Sequence, residues 1–232
     1  MRTHAARARS LEISVQALGE LSDSLVFVGG CATGLLVTRI RANQIRATED
    51  VAVVAEVATI AEYQSVEAKL TSQRCKHDTS PDAPICRWVG AGVTPDLMPS
   101  QPGVLRFHNR RFPLTVSTAS RVLLPSGRRI KLIAAPLFIA TKLEAFKDRG
   151  HGDYLVSHDL EDIVTVVDGR PALVDELRSA PDDLRVYVTK EISSLLDTPG
   201  FLDALPGHLP GDSASQSRVP VLTRLFERLA QL

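Results

Sequence analysis

Two adjacent glycines, Gly29 and Gly30, separate the apolar run Ser24–Val28 from Cys31–Ile40, a segment rich in small residues and leucine. A buried strand that passes through Gly-Gly into a helix belongs to a layered α/β fold, in which helices cover a sheet. The neighbouring segments agree with this. Leu11, Val15, Leu18 and Leu21 recur at helical spacing, Glu49–Val57 is a β-branched run, and Ala58–Leu70 returns to helical character. Further strands are expected at Ile85–Val89 and Gly92–Leu97, with shorter ones at Val104–Phe107 and Leu114–Thr118. A hairpin should join Val122–Leu124 to Arg129–Ile133 across Pro125-Ser126-Gly127.

Beyond Ala134 the pattern becomes helical throughout. Pro136 suits a first helical turn for Leu137–Lys147, and Ser157 is placed to cap His158–Val167. Two or three helices fill Ala172–Leu205, and the Gly/Pro/Ser-rich stretch Gly207–Arg218 reads as a linker to an amphipathic helix at Pro220–Leu232. With 44% hydrophobic residues in 232, a substantial core is available, which excludes a disordered chain or a coiled coil. The longest apolar stretches are short and interrupted by Gly, Lys or Pro, so no membrane span is expected. Met1–Ser10 lacks the apolar core of a signal peptide, and three cysteines argue against a disulfide framework. The expectation is a cytoplasmic protein.

Lys+Arg and Asp+Glu are both 27, so the chain has no net field to draw it to a polyanion. Charge is nevertheless uneven. Arg106 to Lys131 holds seven basic residues and no acid, whereas Asp148, Asp153, Asp159, Glu161 and Asp162 face Arg149 alone. Such a basic run is either a solvated hairpin face or a polyanion contact.

Three features carry chemistry. The Gly29-Gly30 junction admits a phosphate to the backbone at a helix start, although a tight turn alone would also explain it. Asp50 opens an apolar strand on which alternation puts residues 50, 52, 54 and 56 on one face. Asp96 is a second lone carboxylate in an apolar strand. On neighbouring strands the two acids could meet beside the Gly-Gly turn and hold Mg2+.

Val26-Phe-Val-Gly-Gly-Cys-Ala, Arg46-Ala-Thr-Glu-Asp50-Val-Ala-Val-Val and Asp96-Leu-Met-Pro resemble the nucleotidyltransferase core of the DNA polymerase β superfamily. Within it they resemble the AbiEii-type toxins of type IV toxin–antitoxin systems, with the MenT-like transferases. Ala140-Thr-Lys142-Leu-Glu-Ala-Phe-Lys-Asp148-Arg149-Gly and the run Ser157-His-Asp159-Leu-Glu-Asp162-Ile are similar to the helical motifs of that branch. The matched segments span about Val26 to Asp168.

The resemblance implies an α+β fold: a nucleotidyltransferase-like mixed-sheet domain over residues 1–133, then a helical domain over 134–232 completing a nucleoside triphosphate (NTP) cleft. It implies transfer of a nucleoside monophosphate from an NTP to a hydroxyl of RNA, such as a tRNA end, by two-metal catalysis with Mg2+ or Mn2+. It further implies a toxin role countered by a cognate antitoxin. Asp50 and Asp96 would be catalytic metal ligands, and Lys142 a catalytic charge partner. Gly29, Gly30, Lys142, Arg149, Asp159 and Asp162 would bind nucleotide. The family strand carries Asp-x-Asp, but the second position here is Ala52, a vacated ligand position whose methyl group coordinates nothing. Whether that loss is natural or introduced, the chain is expected to be inactive or weakly active. The alternative is a non-catalytic, degenerate nucleotide-binding protein acting through a partner. For Lys142 a second role is open: Asp159 and Asp162 could pair with it or with Arg149 and pin two helices together.

Overall fold

The computed structural model describes residues 11–39, 50–90, 92–105, 109–150 and 152–232. The chain divides into two compact units, Met1–Leu35 with Arg46–Ala134, and Leu36–Ile45 with Ala135–Leu232.

In the first unit, helix α1 (residues 11–18) runs into a 3-10 turn, Gly19–Asp23, and buries Leu11, Val15, Leu18 and Leu21. Strand β1 (Leu25–Phe27) follows and is wholly buried, as a centre strand must be. Helix α2 (Gly30–Leu36) starts directly after it, and β2 (Asp50–Ala55) is its antiparallel neighbour, pairing Leu25 with Ala55 and Phe27 with Val53. Helix α3 (Ile60–Ser72) begins at a capping box. The Thr59 hydroxyl accepts from the Glu62 amide, and the Glu62 carboxylate accepts from the Thr59 amide. A two-stranded ribbon, β3 (Lys76–His77) with β4 (Trp88–Val89), leads into β5 (Thr94–Pro99), which pairs with β2 in parallel over six residues. After helix α4 (Phe112–Thr118) comes the hairpin β6 (Ser120–Leu123) and β7 (Arg129–Leu132), with β7 parallel to β1. The five-stranded mixed sheet has the order β5-β2-β1-β7-β6.

The second unit is helical: α5 (Ala135–Arg149), α6 (His158–Gly169), α7 (Leu173–Arg178), α8 (Asp182–Leu196), α9 (Pro199–Ala204), α10 (Ser213–Gln216) and α11 (Val219–Leu229). Leu160, Ile163, Val164 and Val167 form the buried face of α6, and Leu222, Phe226 and Leu229 that of α11. The Phe226 ring meets Phe201 edge-on at 5.3 Å. No helix among the described residues is long and apolar enough to cross a membrane.

The mixed α/β architecture agrees with the sequence expectation, and three local readings need correction. Leu114–Thr118 is helical rather than extended. Pro113 sits in the first turn, where its fixed φ favours a helix, and the Thr115 and Thr118 hydroxyls donate to the carbonyls of Arg111 and Leu114. Residues 104–105 are not strand, and the rest of Val104–Phe107 lies outside the described residues. The stretch Gly207–Arg218 is no open linker: Asp212 caps α10, and the Gln216 amide donates to the carbonyls of Pro206 and Pro210.

Segment 36–39 packs with the helical unit through the end of α6. The amides of Thr38 and Arg39 both donate to the Gly169 carbonyl at 3.0 Å, and Arg170 donates to the Leu36 carbonyl. A Cβ on Gly169 would stand 2.7 Å from a Val37 methyl carbon, so the approach requires glycine. Gly169→Ala should therefore destabilise the protein by about 1–3 kcal/mol through overpacking, read as a lowered thermal midpoint. An unchanged midpoint would mean that Val37 does not pack there.

Candidate functional site

In-register pairing decides what stands beside what on the sheet. Parallel β2 and β5 set Asp50 opposite Thr94 and Ala52 opposite Asp96. Alternation then puts Asp50, Ala52 and Asp96 on one face, while Val51, Val53 and Leu97 are buried on the other. The Tyr63 hydroxyl of α3 donates to the Leu97 carbonyl at 2.8 Å and ties β5 to that helix.

Gly29 lies against the same place. Its φ is +65°, a left-handed conformation that glycine adopts without strain, and a Cβ built on it would meet the Ala52 Cβ at 3.0 Å. The Val28 amide donates to the Ala52 carbonyl, and the Cys31 thiol donates to the Val28 carbonyl. The structure thus brings Gly29, Asp50, Ala52 and Asp96 together, with Gly30 opening α2.

The cation between the two carboxylates is Arg87, which the sequence reading missed. Its Nε donates to Asp96 Oδ1 at 2.8 Å and its Nη2 to Asp96 Oδ2 at 2.9 Å; the same Nη2 donates to Asp50 Oδ2 at 2.9 Å. The two acids therefore share one nitrogen, and their facing oxygens lie within twice that distance of each other. Asp96, 16% exposed, is held by both oxygens, whereas Asp50 is 49% exposed. Hydrogen bonding to Asp96 raises the Arg87 pKa further above its ordinary value. A signal for Arg87 was present: it falls between Cys86 and Trp88, both buried, where alternation turns it toward the opposite face and a charge needs a partner.

As they stand, these residues do not fit a divalent ion. A Mg2+ site needs several oxygen donors, yet Arg87 already engages both carboxylates and the third position offers a methyl group. Among the described residues no group of three or more His, Cys, Asp or Glu could hold a metal.

The second constellation lies wholly within the helical unit. Lys142 of α5 is 6% exposed, and its ammonium pairs with Asp159 at 3.0 Å and Asp162 at 2.5 Å. Arg149 reaches the same Asp159 with Nε and Nη2, both at 2.9 Å. Burial alone would raise the Asp159 carboxyl pKa; the Arg149 guanidinium and Lys142 ammonium outweigh it and hold the group below its ordinary value. This is the geometry of an interhelical ion pair.

The basic run is divided. Arg111 is buried and Arg106 lies outside the described residues. Arg121, Leu123, Arg129 and Lys131 share one face of the β6–β7 hairpin, with Arg121 directly opposite Lys131. Arg121, Arg128, Arg129 and Lys131 line a cavity of about 330 Å³, where Asp23 is the one acid among the lining residues.

No protein-family model matches the chain, and no curated protein does. Among solved structures, it is similar to one titled "Crystal structure of putative nucleotidyltransferase from H. pylori", with a TM-score of 0.49, 12% identity, and 97% of this chain and 94% of that one covered. It is also similar to JHP933 from Helicobacter pylori, with a TM-score of 0.47, 11% identity, and coverage of 100% and 93%.

Because Lys142 is buried between two acids, Lys142→Met should cost about 3–5 kcal/mol by leaving carboxylates without their cation. The pH dependence has a fixed sign. A carboxyl whose pKa is lowered by folding contributes stability above its unfolded value of about 3.9, and loses it as pH falls through the folded value. Thermal melts across acid pH should show that loss in the wild type and a weaker one in Asp159→Asn. An unaltered midpoint in Lys142→Met would show that the cluster contributes nothing to stability.

Proposed function

We propose that the sheet face of Asp50, Ala52 and Asp96 beside Gly29 is a nucleotidyl-transfer site, silenced in this chain by Ala52. The observation that supports it is the in-register pairing that sets the two acids and residue 52 on one face beside a left-handed glycine. The reaction class is attack of an acceptor hydroxyl on the α-phosphorus of an NTP. A new P–O bond forms as the bond to pyrophosphate breaks, and the hydroxyl proton passes to solvent water. In this chain both oxygens of Asp96 already accept from Arg87, so Asp96 is poorly placed to take that proton. The same occupancy favours a second reading, a nucleotide-binding protein without transfer. The parts assigned to Gly30, Lys142, Arg149, Asp159 and Asp162 in nucleotide binding, to Mg2+ or Mn2+, and to a toxin with its antitoxin, rest on the sequence resemblance.

Incubating the purified chain and Ala52→Asp with each labelled NTP, Mg2+ and total RNA separates the readings. Restoring a carboxylate between Asp50 and Asp96 should raise transfer by a factor on the order of 10³, comparable to regaining one preorganised electrostatic group. Equal rates in the two proteins would reject residue 52 as a vacated ligand position and leave the binding reading.

RNA is the acceptor we propose, with the hairpin face as its phosphate contact. Like charges face each other there across strands, which costs stability unless an anion offsets them. Neutralising Arg121, Arg129 and Lys131 together should flatten the slope of log affinity against log salt for single-stranded RNA by about 2. An unchanged slope would move the contact to another surface.

A further inference from the structure

We infer that the Asp50–Asp96 pair already has its cation: the Arg87 guanidinium fills the place between the carboxylates that a divalent ion would take, so this chain neutralises the pair without a metal. The inference rests on the same acid pair as the transfer reading but requires no nucleotide.

Three observations carry it. The contact is a fork, with two nitrogens on the two oxygens of Asp96 and one of those nitrogens shared with Asp50; a guanidinium holds this shape with little loss of freedom. The fork is also anchored. The Arg87 amide donates to the Pro84 carbonyl, its carbonyl accepts from the Asp78 amide, and the preceding carbonyl, that of Cys86, accepts from Leu97 of β5 at 2.8 Å. The strand carrying Asp96 therefore also holds the backbone that aims Arg87 at it. Lastly, Ala52, paired with Asp96 in the ladder, adds no third donor that would tip the balance toward a divalent ion. Two carboxylates this close repel strongly without a cation, and Arg87 supplies one from within the chain.

Mn2+ alone, titrated into the full chain by calorimetry and followed by thermal melting, tests this. The wild type should bind Mn2+ weakly and melt at the same temperature with or without it. Arg87→Gln should melt lower, bind Mn2+ tighter by a factor on the order of ten or more, and regain its midpoint when Mn2+ is added. Adding Asp96→Asn to that variant should abolish the gained affinity and recover part of the midpoint, since one of two repelling charges is gone.

Should Arg87→Gln not fold, Arg87→Lys gives the reading. It keeps the charge but loses the fork, and should bind Mn2+ more tightly than the wild type. Wild-type affinity equal to that of the substituted protein, or a gain that survives Asp96→Asn, overturns the inference. A silent Ala52→Asp protein would sink the transfer reading and leave this one standing. Indifference of Arg87→Gln to Mn2+ would sink this one alone.

Discussion

Parallel pairing of β2 with β5, held in one register over six residues, is the constraint on which the candidate site depends. A slip of either strand by one residue would exchange that strand's faces, turning its acid into the core, its apolar residues (Val51 and Val53, or Leu97) to solvent, and Asp50 and Asp96 to opposite sides of the sheet. The apolar face fixes the register because those three side chains are fully buried. The acids acquire their common address as a by-product of core packing. No favourable contact between them is needed to bring them together, and none is available without a cation.

The two units handle their charges differently. In the sheet unit one guanidinium spans two carboxylates that keep some access to water, so its fork supplies direction as much as energy. In the helical unit Lys142 is a point charge sealed between Asp159 and Asp162, and Arg149 closes Asp159 from the solvent side. A buried pair of that kind gains little over a well-packed apolar pair, but it is costly to break from one side. It specifies how α5 and α6 meet, since only one rotation of each helix brings the three groups together.

Periodicity exposed most of the fold in the sequence. The buried faces of α6 and α11, the strand at Ser24–Val28 and the hairpin after Ala119 all follow spacing and turn chemistry. Where local preference and tertiary contact disagree, the sequence misleads. The β-branched run at Leu114–Thr118 favours a strand, yet Pro113 and the buried Phe112 and Thr115 make it a helix. The site was half legible. Lone acids in apolar strands marked Asp50 and Asp96, but Arg87 sat in a strand candidate without being asked for its partner. The strand expected at Ile85–Val89 is also shorter than that, since only Trp88–Val89 pairs as strand there. Arg111 shows the opposite failure: a basic residue counted as surface is interior, which composition cannot reveal.

The glycine that first suggested a phosphate site has a nearer cause. At φ +65° any other residue at position 29 is strained, and its Cβ would stand 3.0 Å from the Cβ of residue 52 whatever side chain that residue carries. Alanine, aspartate and every other residue but glycine share that carbon, so the strand alone demands Gly29. The demand is therefore the same with alanine or with aspartate at position 52. Gly30, which opens α2, does not share the positive φ. Of the two glycines, then, the first is explained by packing against β2.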